Sequence, residues 1–349
     1  MTTKKRIKSV TILIILMSMV GLFWLPKEPV NTPVILADKQ QQRDSNLPRP
    51  TSLSQTVKKK QQIDFLTSNE SAALISKAYA AQLVYPPYSQ PLKVNNMDRL
   101  HPNYFNPQKM IINDEGDSVS AYLSHYRYIY PEPIKITVEG ANIENVHFSL
   151  FNKESEQYLV RSKMNKNGDK WFLEVKGKKN FPVEPEAKVI VNVDGYEIPI
   201  ILALRYMIPI ATITDFETPL AKGKDMAINA NITTEKSGLY RVSANLFDAN
   251  DQPVAHLVQR KKLTKGNKQI TLKAHHSVLK GRESPFYLST IMVELMSPSP
   301  GVKKRFGHSL ISKFEINDFA VSSLDETPYQ PTDQEIQRLE LLQQIANGN

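Results

Sequence analysis

From about Asp117 onward, apolar and polar residues alternate at every second position, and turn residues interrupt the alternation at short intervals. This pattern predicts half-buried β-strands as far as about Phe319. Asn167-Gly168 and Asp194-Gly195 each separate two alternating runs, which is the strongest short signal for a hairpin. Because no helical pattern separates the strands, we expect antiparallel sheets and not parallel βαβ units.

The alternating region divides into two sets of strands. We predict a mainly β fold of tandem sandwiches, the first over 117–208 and the second over 209–320, with the boundary near Pro209–Glu217. Strands of the first set are expected near Val119–Leu123, Ile134–Val138, Val146–Phe151, Tyr158–Ser162, Trp171–Val175, Lys188–Val193 and Glu197–Leu204. Strands of the second set are expected near Met226–Ile232, Leu239–Phe247, Val254–Gln259, Lys268–Ala274, Phe286–Leu295 and Ser309–Phe319.

The start of the chain has a different pattern. Residues 1–9 are basic, and an unbroken apolar run follows from Val10 to Leu25. As a helix this run would rise about 24 Å, close to the roughly 30 Å thickness of a bilayer core. We predict a transmembrane helix at 10–25, with 1–9 in the cytoplasm and the bulk in the periplasm of a bacterial inner-membrane protein. The alternative is a cleaved signal and a secreted or periplasmic protein.

The segments that flank the strands have their own signatures. Residues 26–66 are rich in Pro, Gln, Ser and Thr, which predicts a disordered linker. The stretch 67–116 predicts a short helix, begun by a Thr67/Glu70 capping box, and then an extended strap. The tail 321–349 carries a second capping box, Thr332/Glu335, and an amphipathic helix. Its apolar stripe would pack on its own domain, or bind a partner's groove.

One stretch resembles a known class of domain. Gly238-Leu239-Tyr240 opens a long strand, Asp248–Gln252 forms a turn, and Pro253-Val254-Ala255 begins the return strand. Pro285-Phe286-Tyr287 then leads into a later strand. Over about Asp215–Leu295 the sequence resembles the immunoglobulin-like β-sandwich modules of exported, uncharacterised bacterial envelope proteins. The resemblance implies a fold and no activity.

Composition narrows the chemistry. The 349 residues include no Cys, which excludes disulfides, thiolate metal sites and Cys nucleophiles. The seven His residues show no metalloprotease spacing, and the Ser-x-x-Lys at Ser277–Lys280 lacks the companion motifs of penicillin-recognising enzymes. The acidic turns near Asp114 and Asp248 lack a complete calcium loop. We expect no catalytic residues, no metal and no cofactor.

The net charge of +9 is unevenly placed. Residues 222–313 contain sixteen Lys or Arg against six Asp or Glu, whereas 98–205 contain fourteen against fifteen. The basic excess therefore belongs to the second sandwich, where we place Arg260–Lys262 and Lys303–Arg305 on hairpin ends. Such clusters attract anionic partners. The partner-binding candidates are Arg260, Lys261, Lys262, Lys303, Lys304 and Arg305, with Ile336, Leu339 and Leu342 on the tail helix.

These features favour a non-enzymatic, membrane-anchored periplasmic scaffold or adaptor that binds another envelope protein. One alternative is a binding module for an anionic glycan or lipid. Another is an envelope hydrolase with a site at the domain junction. Nucleic acid is not expected as a partner, because the basic runs lack the interleaved aromatic residues of stacking platforms.

Overall fold

The strand pattern of the sequence is realised as several antiparallel sheets. The computed structural model describes residues 70–347, all within one compact unit, Gln61–Asn349. The predicted membrane helix, the linker and the first residues of the predicted short helix lie outside these residues. Among residues 70–347 no helix is long and apolar enough to cross a membrane.

The described chain begins with a helix and an extended segment. Helix α1 occupies residues 70–82 and ends before Pro86, as the sequence predicts. A short strand, β1 (Ser89–Pro91), and a single helical turn, α2 (Met97–Leu100), follow. We call residues 85–107 the strap.

The first body contains eleven strands. They are β2 (Gln108–Ile111), β3 (Ser118–Leu123), β4 (Arg127–Ile129), β5 (Ile134–Gly140), β6 (Ile143–Asn152), β7 (Tyr158–Lys163), β8 (Asn165–Asn167), β9 (Lys170–Val175), β10 (Pro185–Val193), β11 (Tyr196–Ala203) and β12 (Arg205–Met207). One sheet has the order β2-β3-β5-β9-β8 and the other β11-β10-β6-β7, while β4 and β12 form a parallel pair. Buried and half-buried residues alternate throughout β10, as expected for a strand with one face on a core.

The second body follows directly. Its elements are β13 (Ala211–Phe216), β14 (Leu220–Lys222), β15 (Asp225–Thr234), β16 (Gly238–Asp248), β17 (Pro253–Leu263), β18 (Gly266–His275), α3 (His276–Leu279), β19 (Phe286–Leu295), β20 (Arg305–Phe306), β21 (His308–Ser309) and β22 (Phe314–Ile316). Its larger sheet has the order β1-β17-β16-β19-β20, with β22 also on β19. The other has the order β14-β15-β13-β21, with β18 on the free side of β15.

The two bodies share one connectivity. If the main strands of each are numbered one to seven in chain order, strands 1, 2 and 5 form one sheet and 4, 3, 6 and 7 the other. This arrangement is consistent with immunoglobulin-like sandwiches. In each body the sheets enclose a separate apolar core, with Phe148 and Trp171 in the first and Tyr240 and Phe286 in the second.

Two expectations about the second body differ from the structure. The segment Pro209–Glu217, in which a boundary but no strand is predicted, contains β13, the first strand of this body, whose Ile213 is fully buried. The single long strand expected over Ser309–Phe319 is interrupted, and only Phe314–Ile316 pairs with β19. In both places a short strand forms because it pairs with a strand distant in sequence, and the local alternation of residues does not show this pairing.

The strap contacts both bodies. In the second body β1 pairs with β17, and Ser89 and Leu92 are buried. In the first body Phe105 is buried in the core. Between these points the Asn103 side chain makes two hydrogen bonds to the backbone of Arg127: Nδ2 donates to the carbonyl oxygen (2.8 Å), and Oδ1 accepts from the amide (2.7 Å). The strap therefore braces the two sandwiches against each other.

Candidate functional site

The first basic run lies within a strand. Arg260, Lys261 and Lys262 lie near the C-terminal end of β17, and all three are exposed. The run lies at the open end of the β16–β17 hairpin and not in a turn, because the pairing of β16 with β17 continues to Leu263. Cross-strand neighbours in β16 thus fix the positions of these side chains.

The second basic run reaches the same end of the same sheet. Lys303 and Lys304 lie in the loop after β19, and Arg305 begins β20. Backbone pairing places Lys261 opposite Tyr240, Tyr240 opposite Leu295, and Leu295 opposite Arg305. Since strands lie about 4.8 Å apart, the two runs are separated by roughly 14 Å across the sheet. We call Arg260–Lys262 and Lys303–Arg305 together the basic sheet end.

Few carboxylates neutralise the basic sheet end. Lys303 Nζ lies 2.9 Å from Glu184 Oε2, and its hydrogen bond holds the pKa of Glu184 below its usual range. The other five cations have no ion-pair partner among residues 70–347. Beside the second run is a cleft of about 580 Å³ with an apolar floor that includes Phe181 and Tyr206. The surface joins exposed positive charge to an apolar recess.

The tail helix α4 (Asp333–Asn347) forms as predicted and is locally capped. Glu335 accepts hydrogen bonds from the amide and the hydroxyl of Thr332, at 2.8 and 2.9 Å. No residue of α4 is buried, and Ile336, Leu341 and Ile345 are 43%, 55% and 44% exposed. Leu339 and Leu342 are half-buried. The expected docking of the stripe on its own domain is therefore only partial, because two of its leucines are half-buried and none of its residues is fully buried.

Polar groups also meet at the junction of the two bodies. His125 Nε2 lies 2.5 Å from Glu132 Oε1, and both line a cleft of about 440 Å³. Arg127 crosses this junction, with its guanidinium 4.8 Å from the centre of the Phe306 ring. Burial lowers the pKa of Arg127, while Glu294 opposes this effect. Within residues 70–347 no hydroxyl group is hydrogen-bonded to the imidazole ring of His125, a contact that activation of a Ser nucleophile would require.

The Ser-x-x-Lys stretch has a local structural role. His275 is buried, and its Nδ1 accepts from the amide of Ser277 at the start of α3 (3.2 Å) and lies 2.8 Å from Ser277 Oγ. The His275 side chain therefore caps the N-terminus of α3, a helix of a single turn. Among residues 70–347 no group of three or more His, Asp or Glu side chains is placed to hold a metal ion.

Comparison with known proteins gives weak likenesses only. No family model and no curated protein matches the chain. A DUF4785 family protein from Legionella pneumophila is 15% identical over 51% of this chain and 52% of its own, with a TM-score of 0.39. Salmonella alpha-2-macroglobulin reacted with methylamine is 11% identical over 61% and 15%, with a TM-score of 0.31. The IG1+IG2 domains of DIP-gamma are 8% identical over 58% and 96%, at 0.22.

The chain thus spans about half of the Legionella protein and a small part of the macroglobulin. Because all three scores are low, the description of the fold depends on strand order and core packing.

A second group of polar side chains was not singled out by the sequence. Arg99, Arg241 and His256 lie far apart along the chain and meet between the strap and the second body. No local motif marks them, because they come from three separate segments of the chain: the strap, β16 and β17. Their convergence depends on long-range pairing.

Proposed function

We propose that this protein is a non-enzymatic, membrane-anchored scaffold or adaptor of the bacterial envelope that binds an acidic surface of another envelope protein. The observation that carries the proposal is the basic sheet end, where two runs forty residues apart lie at the same end of one sheet. A rigid sheet holds the charges in place, so complementary charge would steer association and orient the partner.

Two further features support an adaptor. The strap fixes the two sandwiches as a braced pair, which would present the basic sheet end in a constant orientation. The stripe of α4 offers a second contact, because an amphipathic helix with no buried residue can lay its apolar side into a partner's groove. The anchor would be Val10–Leu25, which lies outside the described residues.

Charge reversal tests the proposal. The variant Lys261→Glu, Lys262→Glu and Lys304→Glu changes the basic sheet end and leaves the Lys303–Glu184 pair intact. The matched control changes three exposed lysines of the first body, Lys163→Glu, Lys176→Glu and Lys178→Glu. Each protein is cross-linked in its native membrane, purified, and its bound proteins are quantified at low and high salt.

We expect the basic variant to lose a salt-sensitive protein that the wild type and the control both retain. The same bound proteins in equal amounts from both variants would contradict the proposal. Loss of association with anionic vesicles, without loss of any bound protein, would favour the glycan or lipid alternative instead.

The helix contributes a separate arm to the experiment. Leu339→Glu with Leu342→Glu places charge on the apolar stripe, and Gln337→Glu with Gln344→Glu places the same charge on the polar side of α4. No residue of α4 is fully buried, but Leu339 and Leu342 are half-buried, so the urea-unfolding midpoint of each pair is measured as a control for the fold. If α4 binds the partner, only the first pair reduces the amount of bound protein.

A further inference from the structure

A cleft of about 650 Å³ lies between the strap and the outer face of β16 and β17. Three guanidinium groups line it: Arg99 comes from the strap, Arg241 from β16 and Arg260 from β17. The acidic residue in its lining is Asp98, which is exposed. Guanidinium groups bind planar oxyanions through two parallel hydrogen bonds, so the chemistry of this lining is that of an anion receptor.

The positive charge of this cleft is only partly neutralised. Arg241 pairs with the buried Glu294 at 3.2 Å, while its Nε has no hydrogen-bond partner in the described chain. Arg99 and Arg260 have no ion-pair partner among residues 70–347. Two of the three guanidinium groups are therefore available for a ligand.

A buried amide holds the cleft in shape. Asn245 is fully buried, and its Nδ2 donates to the carbonyl oxygen of Arg99 at 2.8 Å. Its Oδ1 lies 2.7 Å from His256 Nδ1, which must be the donor because the amide oxygen can only accept. This arrangement joins the strap to β17 and leaves Nε2 of His256 as an acceptor. Burial, then Arg99 and Arg241, lower the pKa of His256 to about 4, so the ring is neutral at pH 7.

The opposite side of the cleft contains backbone strain. The pairing of β16 with β19 has a bulge in which Thr290 and Ile291 lie opposite Ala244. Thr290 has a φ of 54°, a left-handed conformation that a β-branched residue rarely adopts. Thr290 is one of the residues that line the cleft. Bulges and strained residues are concentrated at binding and active sites, where they re-aim a side chain.

We propose that this cleft binds an oxyanion, a phosphate or carboxylate group carried by a hydroxylated ligand, between Arg99 and Arg260. The guanidinium groups take the charged oxygens, and the neutral His256 with the Thr290 hydroxyl takes hydroxyl groups beside them. This inference goes beyond the proposed adaptor function. It shares Arg260 with the basic sheet end but depends on Arg99, His256 and Thr290, which are not part of that surface, and it stands if the adaptor function fails.

Calorimetric titration of the full chain tests the site with three probes: inorganic phosphate, glucuronate and glucose. We expect saturable binding of at least one anion and none of glucose. The double variant Arg99→Gln and Arg260→Gln should bind at least about tenfold more weakly. Arg161→Gln, an exposed arginine of the first body, is the control and should bind as the wild type does.

The probes also distinguish the source of the oxyanion. Binding of phosphate alone would assign a phosphoryl group, and binding of glucuronate alone would assign a carboxylate sugar. The proposal is overturned if neither anion binds saturably, or if the double variant binds as tightly as the control. Because Lys261, Lys262 and Lys304 are not part of this cleft, charge reversal there separates failure of the adaptor function from failure of this site.

Discussion

Replacing Asn103 with alanine should weaken the attachment of the strap to the first body. The change removes two hydrogen bonds and leaves the amide and carbonyl groups of Arg127 without those partners. Each such bond contributes a net of about 0.5–1.5 kcal/mol, so we expect the free energy of unfolding to fall by about 2 kcal/mol. For a folded part of this size the melting temperature would fall by roughly 4–8 °C.

Urea unfolding of the full chain measures this effect directly. The chain has two tryptophans, and a Trp24→Phe background leaves Trp171, which is buried in the first core, as the fluorescent reporter. Asn106→Ala is the matched control, because Asn106 is exposed and its side chain makes no hydrogen bond within residues 70–347. If Asn103→Ala changes the midpoint no more than Asn106→Ala does, the strap does not brace the first body.

Three other predictions concern stability. The pKa of His256 is about 4 in the folded protein against 6.5 unfolded, so its contribution is complete above pH 6.5 and is lost as the pH falls towards 4. The variant His256→Gln should therefore flatten the pH dependence of the urea-unfolding midpoint, and an unchanged slope would mean that other groups cause this dependence. Tyr240→Phe removes the 2.7 Å hydrogen bond to the Lys236 carbonyl and should cost about 1 kcal/mol, and a neutral result would mean that water replaces it. Thr332→Ala should reduce hydrogen-exchange protection in α4 and leave global unfolding unchanged, whereas a lower global midpoint would show that α4 is docked.

Local patterns were sufficient for most of the strands. Asp194 and Gly195 have φ values of 50° and 81°, and they connect Val193 directly to its partner Tyr196 in a two-residue hairpin. A turn of this kind needs two residues with positive φ, which Asp-Gly supplies at little cost. The strand and the turn are therefore encoded within a few neighbouring residues.

The parts that the sequence did not reveal depend on distant contacts. Ala211–Phe216 follows a proline and resembles a linker, yet it pairs with β15 and, in parallel, with β21. Phe105 is an isolated aromatic in a proline-rich segment, and only the closed sandwich shows that it fills a core. The alternation of apolar and polar residues thus predicts the long central strands. The short edge strands and the strap contacts form only because distant parts of the chain pack against them.

The candidate site likewise combines features that are visible in the local sequence with features that depend on distant contacts. Composition located the positive charge in the second sandwich, and the basic runs were visible as runs. The register that places Lys261 and Arg305 at one end of a sheet results from three successive strand pairings. Arg99 and His256 gave no signal, because the buried amide that brings them together, Asn245, lies in a different strand.

Photo-cross-linking from within the basic sheet end tests the central claim most directly. A photoreactive residue at Lys304 in the full chain, compared with one at Lys176 on the first body, would be activated in intact membranes. We predict one salt-sensitive adduct from position 304 that is absent from position 176 and is lost with Lys261→Glu and Lys262→Glu. Identical adducts from both positions, or an adduct that survives the charge reversal, would contradict the account.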